Sequence, residues 1–392
     1  MKVALRRITV ALLASFALAQ VASAADAPKK LAGPKMEIYG RLSISLDGVN
    51  QDNSPNSNQY LQFPSNLSLW GFRGSQDLGP VKALWQIESN VNAENGVTTP
   101  LGIGSRDTFV GMWTPYGTVK FGFFYAPYYY AVANLDPLSL TIADMRSVIH
   151  NTGFGGKVEF STRLTNSVSY ATPKIEGFQF QIQYANPEQA AGVTGGKRVS
   201  AFAPNPGDGD VLGGVYSLSL TYNKGPLYAA GGYEIHNNVD RTGDALGYQA
   251  EQALELGVGV KLPTKTTLSG IYEYIWRGGP NDGAIRTRPI GLFAAVKQDI
   301  GSETLAATFG YAGHTKLSDN DDGGFFGLGF YHHFGKNTEA YAAFAKAFNG
   351  SDGKTGLGTQ GHGTAINPLQ GGNGPMAISI GLIHRFGFGL GS

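Results

Sequence analysis

The chain of 392 residues contains no cysteine, and only 15% of its residues are charged. The absence of cysteine excludes a disulfide framework, a thiolate metal site and a cysteine nucleophile. After the first two dozen residues there is also no apolar run long enough to cross a bilayer as a helix. In contrast, 56 glycines, 19 tyrosines and 22 phenylalanines supply the residue types of strands and tight turns. We therefore expect neither a small disulfide-bonded domain nor a helical membrane protein.

The first 24 residues have the organisation of a secretory signal. Lys2, Arg6 and Arg7 precede an apolar run at residues 8–19, and small residues at 22–24 precede the predicted cleavage point. Cleavage there leaves 27 basic and 29 acidic side chains. The signal predicts an exported chain, and the near-neutral charge balance predicts no nucleic-acid partner.

The main pattern in the rest of the chain is alternation between apolar and polar side chains. In residues 178–184, aromatic and aliphatic side chains alternate with three glutamines, and residues 81–88 and 254–262 repeat the pattern. A period of two places all apolar groups of a strand on one face and all polar groups on the other. Such strands suit either a soluble sandwich or a membrane barrel whose apolar face meets lipid.

The connections between the predicted strands decide between these two folds. We predict sixteen strands, joined alternately by brief turns with Gly, Pro or Asn and by long loops. This alternation is typical of outer-membrane barrels and not of sandwiches. The predicted fold is therefore all-β, a transmembrane antiparallel β-barrel. We divide the chain into a signal peptide at 1–24, a short periplasmic leader at 25–35, a barrel at 36–386 and a C-terminal tail at 387–392.

Several stretches resemble the general porins of Gram-negative bacteria, of the neisserial and beta-proteobacterial type. The most specific is LWGFRGSQDLG at residues 69–79, followed by KALWQIES at 82–89. Weaker matches lie at residues 109–111, 116–119, 166–170, 224–227 and 381–386. The resemblance implies a homotrimer in outer-membrane lipid and lipopolysaccharide, with a sixteen-stranded barrel. It also implies that the long third loop, at residues 125–163, folds into the lumen and narrows it.

The resemblance also implies a pore constriction with basic residues. Family members commonly have arginines at the positions of Leu69, Arg106, Phe123 and Arg163, and this chain keeps only two of the four. If Leu69 and Phe123 face the constriction, the pore loses two positive charges. We then expect a shift in preference from small anions toward neutral or aromatic solutes.

Further pore residues follow from the loop composition and from strand parity. Tyr128 and Tyr129 either offer stacking faces to solutes or pack the loop against the wall. To the constriction we also assign Arg73, Asp136, Asp144 and Arg146. To the wall of the lumen we assign Arg41, Lys82, Glu88, Glu273 and Arg288.

The predicted function is passive diffusion of ions and small hydrophilic solutes through a water-filled channel. An alternative within transport is a substrate-specific channel with a binding site for neutral or aromatic solutes. A barrel hydrolase and a closed adhesive barrel are two further alternatives. We find no catalytic constellation and no histidine at metal-ligand spacing, so we predict no enzyme activity, no metal site and no cofactor.

Overall fold

The computed structural model describes residues 33–52, 59–96, 102–150, 160–185, 214–239, 249–277, 288–315, 318–359 and 361–390. The predicted signal peptide at 1–24 and most of the leader at 25–35 lie outside these residues. The strands are β1 (Lys35–Asn50), β2 (Gln59–Gln62), β3 (Leu69–Asp77), β4 (Lys82–Asn90), β5 (Thr108–Thr114), β6 (Gly117–Tyr125), β7 (Arg163–Ala171), β8 (Phe178–Ala185), β9 (Val215–Lys224), β10 (Leu227–Val239), β11 (Gln249–Lys261), β12 (Thr266–Arg277), β13 (Arg288–Ile300), β14 (Glu303–Ala312), β15 (Gly323–His333), β16 (Thr338–Asn349) and β17 (Met376–Leu390). The helical elements are α1 (Pro127–Val132) and two 3-10 turns, Ala133–Leu135 and Met145–Ser147.

The strands form one closed antiparallel barrel. Strand β1 pairs with the last strand along its length, from Met36 opposite Leu390 to Asn50 opposite Met376. On its other edge β1 pairs with β3 and with the short strand β2. Each remaining strand pairs with its neighbours in sequence order. Strands β2 and β3 pair with successive parts of the same edge of β1, so β2 counts as an extension of β3. Sixteen strands then make the wall, which confirms the predicted sixteen-stranded antiparallel barrel.

The two faces of the wall differ in polarity as the alternation predicts. In β1, Leu42 and Leu46 are 42% and 40% exposed, whereas Ser43 and Ser45 between them are at most 2% exposed. In β8, Phe178, Phe180 and Ile182 are likewise exposed. Apolar side chains therefore cover the outside of the barrel and polar ones face its interior. No helix among the described residues is both long enough and apolar enough to cross a membrane.

Brief turns lie at one end of the barrel and long connections at the other. Gly225 and Gly301 each follow the last residue of a strand in two-residue hairpin turns, with φ of 61° and 62°. Such turns need a positive φ at this position, which glycine adopts without strain. The last strand does not end at Phe386, since residues 387–390 continue it and pair with β1.

Residues 126–150 of the β6–β7 connection, which we call the inner arm, pack against the inward-facing side of the wall. An ideal Cβ placed on Gly257 of β11 would lie 2.6 Å from Leu135 Cδ1, and one on Gly329 of β15 would lie 2.3 Å from Leu138 Cδ2. These wall positions are glycines, and the absence of a side chain there makes room for apolar side chains of the arm. The buried apolar residues of the arm are Ala126, Tyr128, Ala131, Val132, Leu135, Leu138, Ile142, Ala143, Met145, Val148 and Ile149.

Candidate functional site

A polar cavity of about 440 Å³, which we call the eyelet cavity, lies between the inner arm and the facing wall. Strands β1 and β4 to β8, with the residues just before β3 and β5, supply its wall side, and residues 129–130 and 139–146 of the arm supply the other side. The lining residues are Arg41, Leu67, Gln86, Glu88, Arg106, Asp107, Phe109, Lys120, Tyr125, Tyr129, Tyr130, Ser139, Leu140, Arg146, Arg163 and Gln181. Five of them are basic and two are acidic, so basic side chains predominate in the lining.

Two wall arginines of the cavity are held by carboxylates. The Arg106 guanidinium pairs with Glu88 and donates to Asn90 Oδ1 at 3.0 Å. Arg163 Nε lies 2.5 Å from Asp107 Oδ1, while the other oxygen of Asp107 accepts the Tyr130 hydroxyl at 2.6 Å. Charge-assisted contacts of this kind fix the orientation of both guanidinium groups.

The arm contributes a third arginine with its own carboxylate. Arg146 donates from Nε and from its terminal nitrogen to the two oxygens of Asp144, at 2.9 and 2.8 Å. Asp144 also accepts the backbone N–H groups of Leu140 and Arg146. This bidentate pair therefore stiffens the arm at the point where Arg146 reaches the cavity.

Two further cations of the cavity have no carboxylate partner. Arg41 donates to the backbone oxygen of Leu67 at 2.8 Å, and Lys120 Nζ lies 4.5 Å from the centre of the Phe109 ring. Neither side chain forms an ion pair with any residue in the part of the chain that the structure describes. Their charges are thus available to an ion in the cavity.

The tyrosines of the cavity form cation–π contacts with its arginines and stack on each other. The Arg163 guanidinium lies 3.9 Å from the centre of the Tyr125 ring, and the Tyr129 ring stacks on Tyr125 at 4.0 Å. Two groups at such short distances must occupy opposite faces of one ring, so both faces of Tyr125 are covered. Tyr129 is also 5.9 Å from the Arg146 guanidinium. The stack positions the arginines of the cavity through cation–π contacts.

Behind the arm, a second polar cluster ties it to the wall. The Tyr128 hydroxyl donates to Glu273 at 2.7 Å, and the backbone N–H of His150 donates to the same carboxylate. The His150 ring lies 2.8 Å from Glu255. Burial lowers the pKa of His150 to about 3, so the ring is neutral and this contact is a hydrogen bond.

This second cluster also has a spacing that could hold a metal ion. The ligand atoms of His150, Glu255 and Glu273 lie within 4.8 Å of one another. Sequence reasoning missed the group because a loop and two strands bring it together. The same atoms already form the hydrogen bonds that attach the arm, and we assign them to that anchoring.

The structure brings only some of the sequence-predicted residues together. Four of the expected constriction residues line the eyelet cavity: Arg106, Tyr129, Arg146 and Arg163. Arg41 and Glu88, which were assigned to the wall of the lumen, line it as well. Tyr128 and Glu273 lie behind the arm instead, where both are at most 1% exposed.

Other predicted residues lie away from the cavity. Arg73 pairs with Glu37 at 2.7 Å and Lys82 with Asp77 at 3.4 Å, both half-exposed near the end with brief turns. The side chain of Arg288 lies outside the described residues.

Asp136 serves the arm itself. Its carboxylate accepts the backbone N–H groups of Leu138 and Met145, both at 2.9 Å. Burial and the neighbouring Asp144 raise its pKa to about 8. Through its two hydrogen bonds the carboxyl group of Asp136 holds the backbone of the arm, and Asp136 is not among the residues that line the cavity.

The two positions at which family arginines are replaced do not line the cavity. Leu69 is buried opposite Arg41 in the β1–β3 register. Phe123 shares the outward face with the half-exposed Phe121, and Phe124 is the residue that packs inside, 6.0 Å from the Phe109 ring. Sequence reasoning also missed Lys120, although it alternates with outward-facing apolar residues in β6.

Comparison with known proteins identifies the family. Residues 9–352 match the Gram-negative porin family. An outer membrane porin protein of Bordetella pertussis is 26% identical over 360 residues, covering 79% of this chain and 86% of the relative. The major outer membrane protein P.IA of Neisseria meningitidis is 29% identical over 194 residues, covering 44% of this chain and 45% of that protein.

Solved structures show the same fold. An anion-selective porin from Comamonas acidovorans superposes with a TM-score of 0.73 at 18% identity, covering 90% of this chain and 100% of that one. OmpT of Vibrio cholerae in a trimer form gives a TM-score of 0.65 at 14% identity, with 90% and 100% coverage. Together with the closed barrel and its apolar exterior, the family match over most of the sequence establishes that this chain belongs to the Gram-negative porins of the outer membrane.

Proposed function

We propose that the chain forms a passive diffusion channel for ions and small hydrophilic solutes, with a preference for anions set at the eyelet cavity. The observation that carries this proposal is the charge balance there. Arg41, Arg106, Lys120, Arg146 and Arg163 face Glu88, Asp107 and the Asp144 partner of Arg146, so five cations meet three carboxylates. The excess of two positive charges favours anions in a narrow aqueous passage.

This proposal replaces the expected shift toward neutral or aromatic solutes. That expectation depended on Leu69 and Phe123 facing the constriction, and neither lines the cavity. Arg41 and Lys120 supply positive charge from other strands. The Tyr125 ring, sandwiched between Arg163 and Tyr129, offers no free face to an aromatic solute.

We further propose that the channel is a homotrimer, in contact with outer-membrane lipid and lipopolysaccharide, without enzymatic activity. Apolar side chains on the outside of the wall suit both lipid and neighbouring protomers. The trimer form of OmpT and the anion-selective Comamonas porin, which share this fold, support the assembly and the ion preference.

Liposome swelling with solutes of matched size tests the proposed permeability. Liposomes containing the protein are placed in isosmotic glucuronate, glucose or glucosamine, three pyranose sugars that differ mainly in charge. We expect swelling to be fastest with glucuronate and slowest with glucosamine, and each rate to rise linearly as the sugar's share of a constant total osmolarity is raised. Liposomes with heat-denatured protein are the control. Faster entry of glucosamine, or rates that saturate with one solute, would contradict a general anion-preferring channel.

A further inference from the structure

The connection between β16 and β17 enters the barrel interior. Leu357 and Ile366 exchange two backbone hydrogen bonds, of 2.9 and 3.0 Å, and both side chains are fully buried. Residues 358–359 and 361–365, between them, form the described part of a hairpin tip. We call residues 357–359 and 361–366 the inner hairpin.

The inner hairpin is anchored to the wall through His362. Its Nε2 lies 3.2 Å from Asp47 Oδ2 and 3.3 Å from Ser45 Oγ, and its Nδ1 lies 3.0 Å from the Thr364 oxygen. The next residue, Gly363, donates its N–H to Asn66 Oδ1 at 3.0 Å. His362 and Asp47 are both buried, so this anchor is held away from solvent.

The tip of the inner hairpin contacts the Asp144–Arg146 pair of the inner arm. An ideal Cβ on Gly361 would lie 1.7 Å from Asp144 Oδ2 and 2.6 Å from a terminal nitrogen of Arg146. The backbone N–H of Thr359 donates to Ser147 Oγ at 3.4 Å. Only a residue without a side chain can approach the Asp144–Arg146 pair so closely.

We propose that Gly361 and its anchor His362 are positioning residues for Arg146, so that the last long connection helps to set the ion preference of the eyelet cavity. The arm holds Arg146 from one side through Asp144, and the inner hairpin covers the same pair from another side. Since Arg146 lines the cavity while only 2% of it is exposed, its guanidinium has little freedom as long as the tip stays in place. This inference rests on the proposed anion preference.

The first test is the zero-current potential of G361A channels in a KCl gradient, beside the wild type and G270A. Alanine fits at Gly270, where an added Cβ meets only the Phe293 oxygen at 3.8 Å. We expect G361A to lower the Cl⁻/K⁺ permeability ratio about threefold by displacing a charge near the passage, and G270A to leave it unchanged. A wild-type ratio in G361A overturns the inference, whereas a wild-type channel without anion preference overturns the proposed function.

A double-mutant cycle separates positioning from general disruption. In a D144A/R146A background the tip has no pair to position, so adding G361A is expected to change the permeability ratio by less than the single substitution does. An equal change in both backgrounds shows that Gly361 does not act through Arg146.

A disulfide crosslink tests the contact between the inner hairpin and the inner arm even if the G361A variant does not fold. Because the chain has no cysteine, S147C/T359C introduces a single pair at the contact between arm and hairpin. We expect this pair to oxidise to a disulfide and the oxidised channel to keep the wild-type permeability ratio. Two thiols that stay reactive toward a maleimide under oxidising conditions would show that the inner hairpin does not sit on the arm.

Discussion

Replacing Arg41 and Lys120 together by glutamine is expected to remove the anion preference of the pore. Both side chains line the eyelet cavity, and neither forms an ion pair with a described residue. A unit charge about 4 Å from an ion contributes about 1 kcal/mol even in bulk water, or about fivefold in relative occupancy. We therefore expect the Cl⁻/K⁺ permeability ratio of the R41Q/K120Q channel to fall about tenfold or more, as measured from zero-current potentials.

The matched control is R73Q/K82Q, which also removes two positive charges from the inner face of the barrel. Arg73 and Lys82 are solvated and paired with Glu37 and Asp77, outside the eyelet cavity. Solvated, paired charges contribute little, so we expect only a small change in the permeability ratio. Equal effects of the two double substitutions would mean that the overall charge of the lumen, and not the eyelet cavity, sets the preference.

Replacing Gly327 by leucine is expected to dislocate the inner arm and to narrow the passage. An added Cβ at Gly327 would lie 2.4 Å from the Cβ of Ala143 and 2.7 Å from Thr308 Oγ1. The Cβ of Ala143 is bonded to the arm's backbone, so the arm itself must move away from the wall and toward the eyelet cavity. Overpacking of this kind costs about 1–3 kcal/mol. We expect a lower single-channel conductance and more frequent closures.

The control for G327L is G270L, a leucine introduced on the outward face of β12. No described atom except the Phe293 oxygen lies within 4 Å of an added Cβ there. We expect G270L channels to conduct like the wild type, since the new side chain projects into lipid. Unchanged conductance in G327L would mean that the arm does not border the conducting path.

The architecture of this barrel could be predicted from the sequence because it depends on a local pattern. Strand β8 shows why, since its glutamines and aromatic residues alternate without interruption and the structure places them on opposite faces. The turns are equally local, because a glycine with positive φ at Gly225 or Gly301 closes a hairpin whatever surrounds it.

The eyelet cavity was harder to predict because the resemblance and the alternation of β6 disagree. The resemblance places Phe123 at the constriction, whereas alternation with the inward-facing Lys120 makes Phe124 the inward residue, as the structure has it. Glu273 has the inward parity of a solvated wall residue, but the arm covers it. Strand parity cannot show which inward residues a loop will bury.

One signal of the arm's position was present in the sequence. Gly257 and Gly259 in β11, and Gly327 and Gly329 in β15, alternate with apolar residues of the outward face. Inward-facing glycines at a period of two indicate that another segment approaches the wall closely. In contrast, nothing local marks Gly361 as a contact of Asp144, since more than two hundred residues separate them along the chain.

The zero-current potential of the wild-type channel in a planar bilayer, across a tenfold KCl gradient at neutral pH, tests the central claim most directly. The eyelet cavity holds two positive charges in excess of its carboxylates, so the potential should have the sign of chloride permeation and should shrink as the salt concentration on both sides is raised. A potential with the sign of potassium permeation, or no conductance from folded protein, would contradict a water-filled pore with a basic constriction.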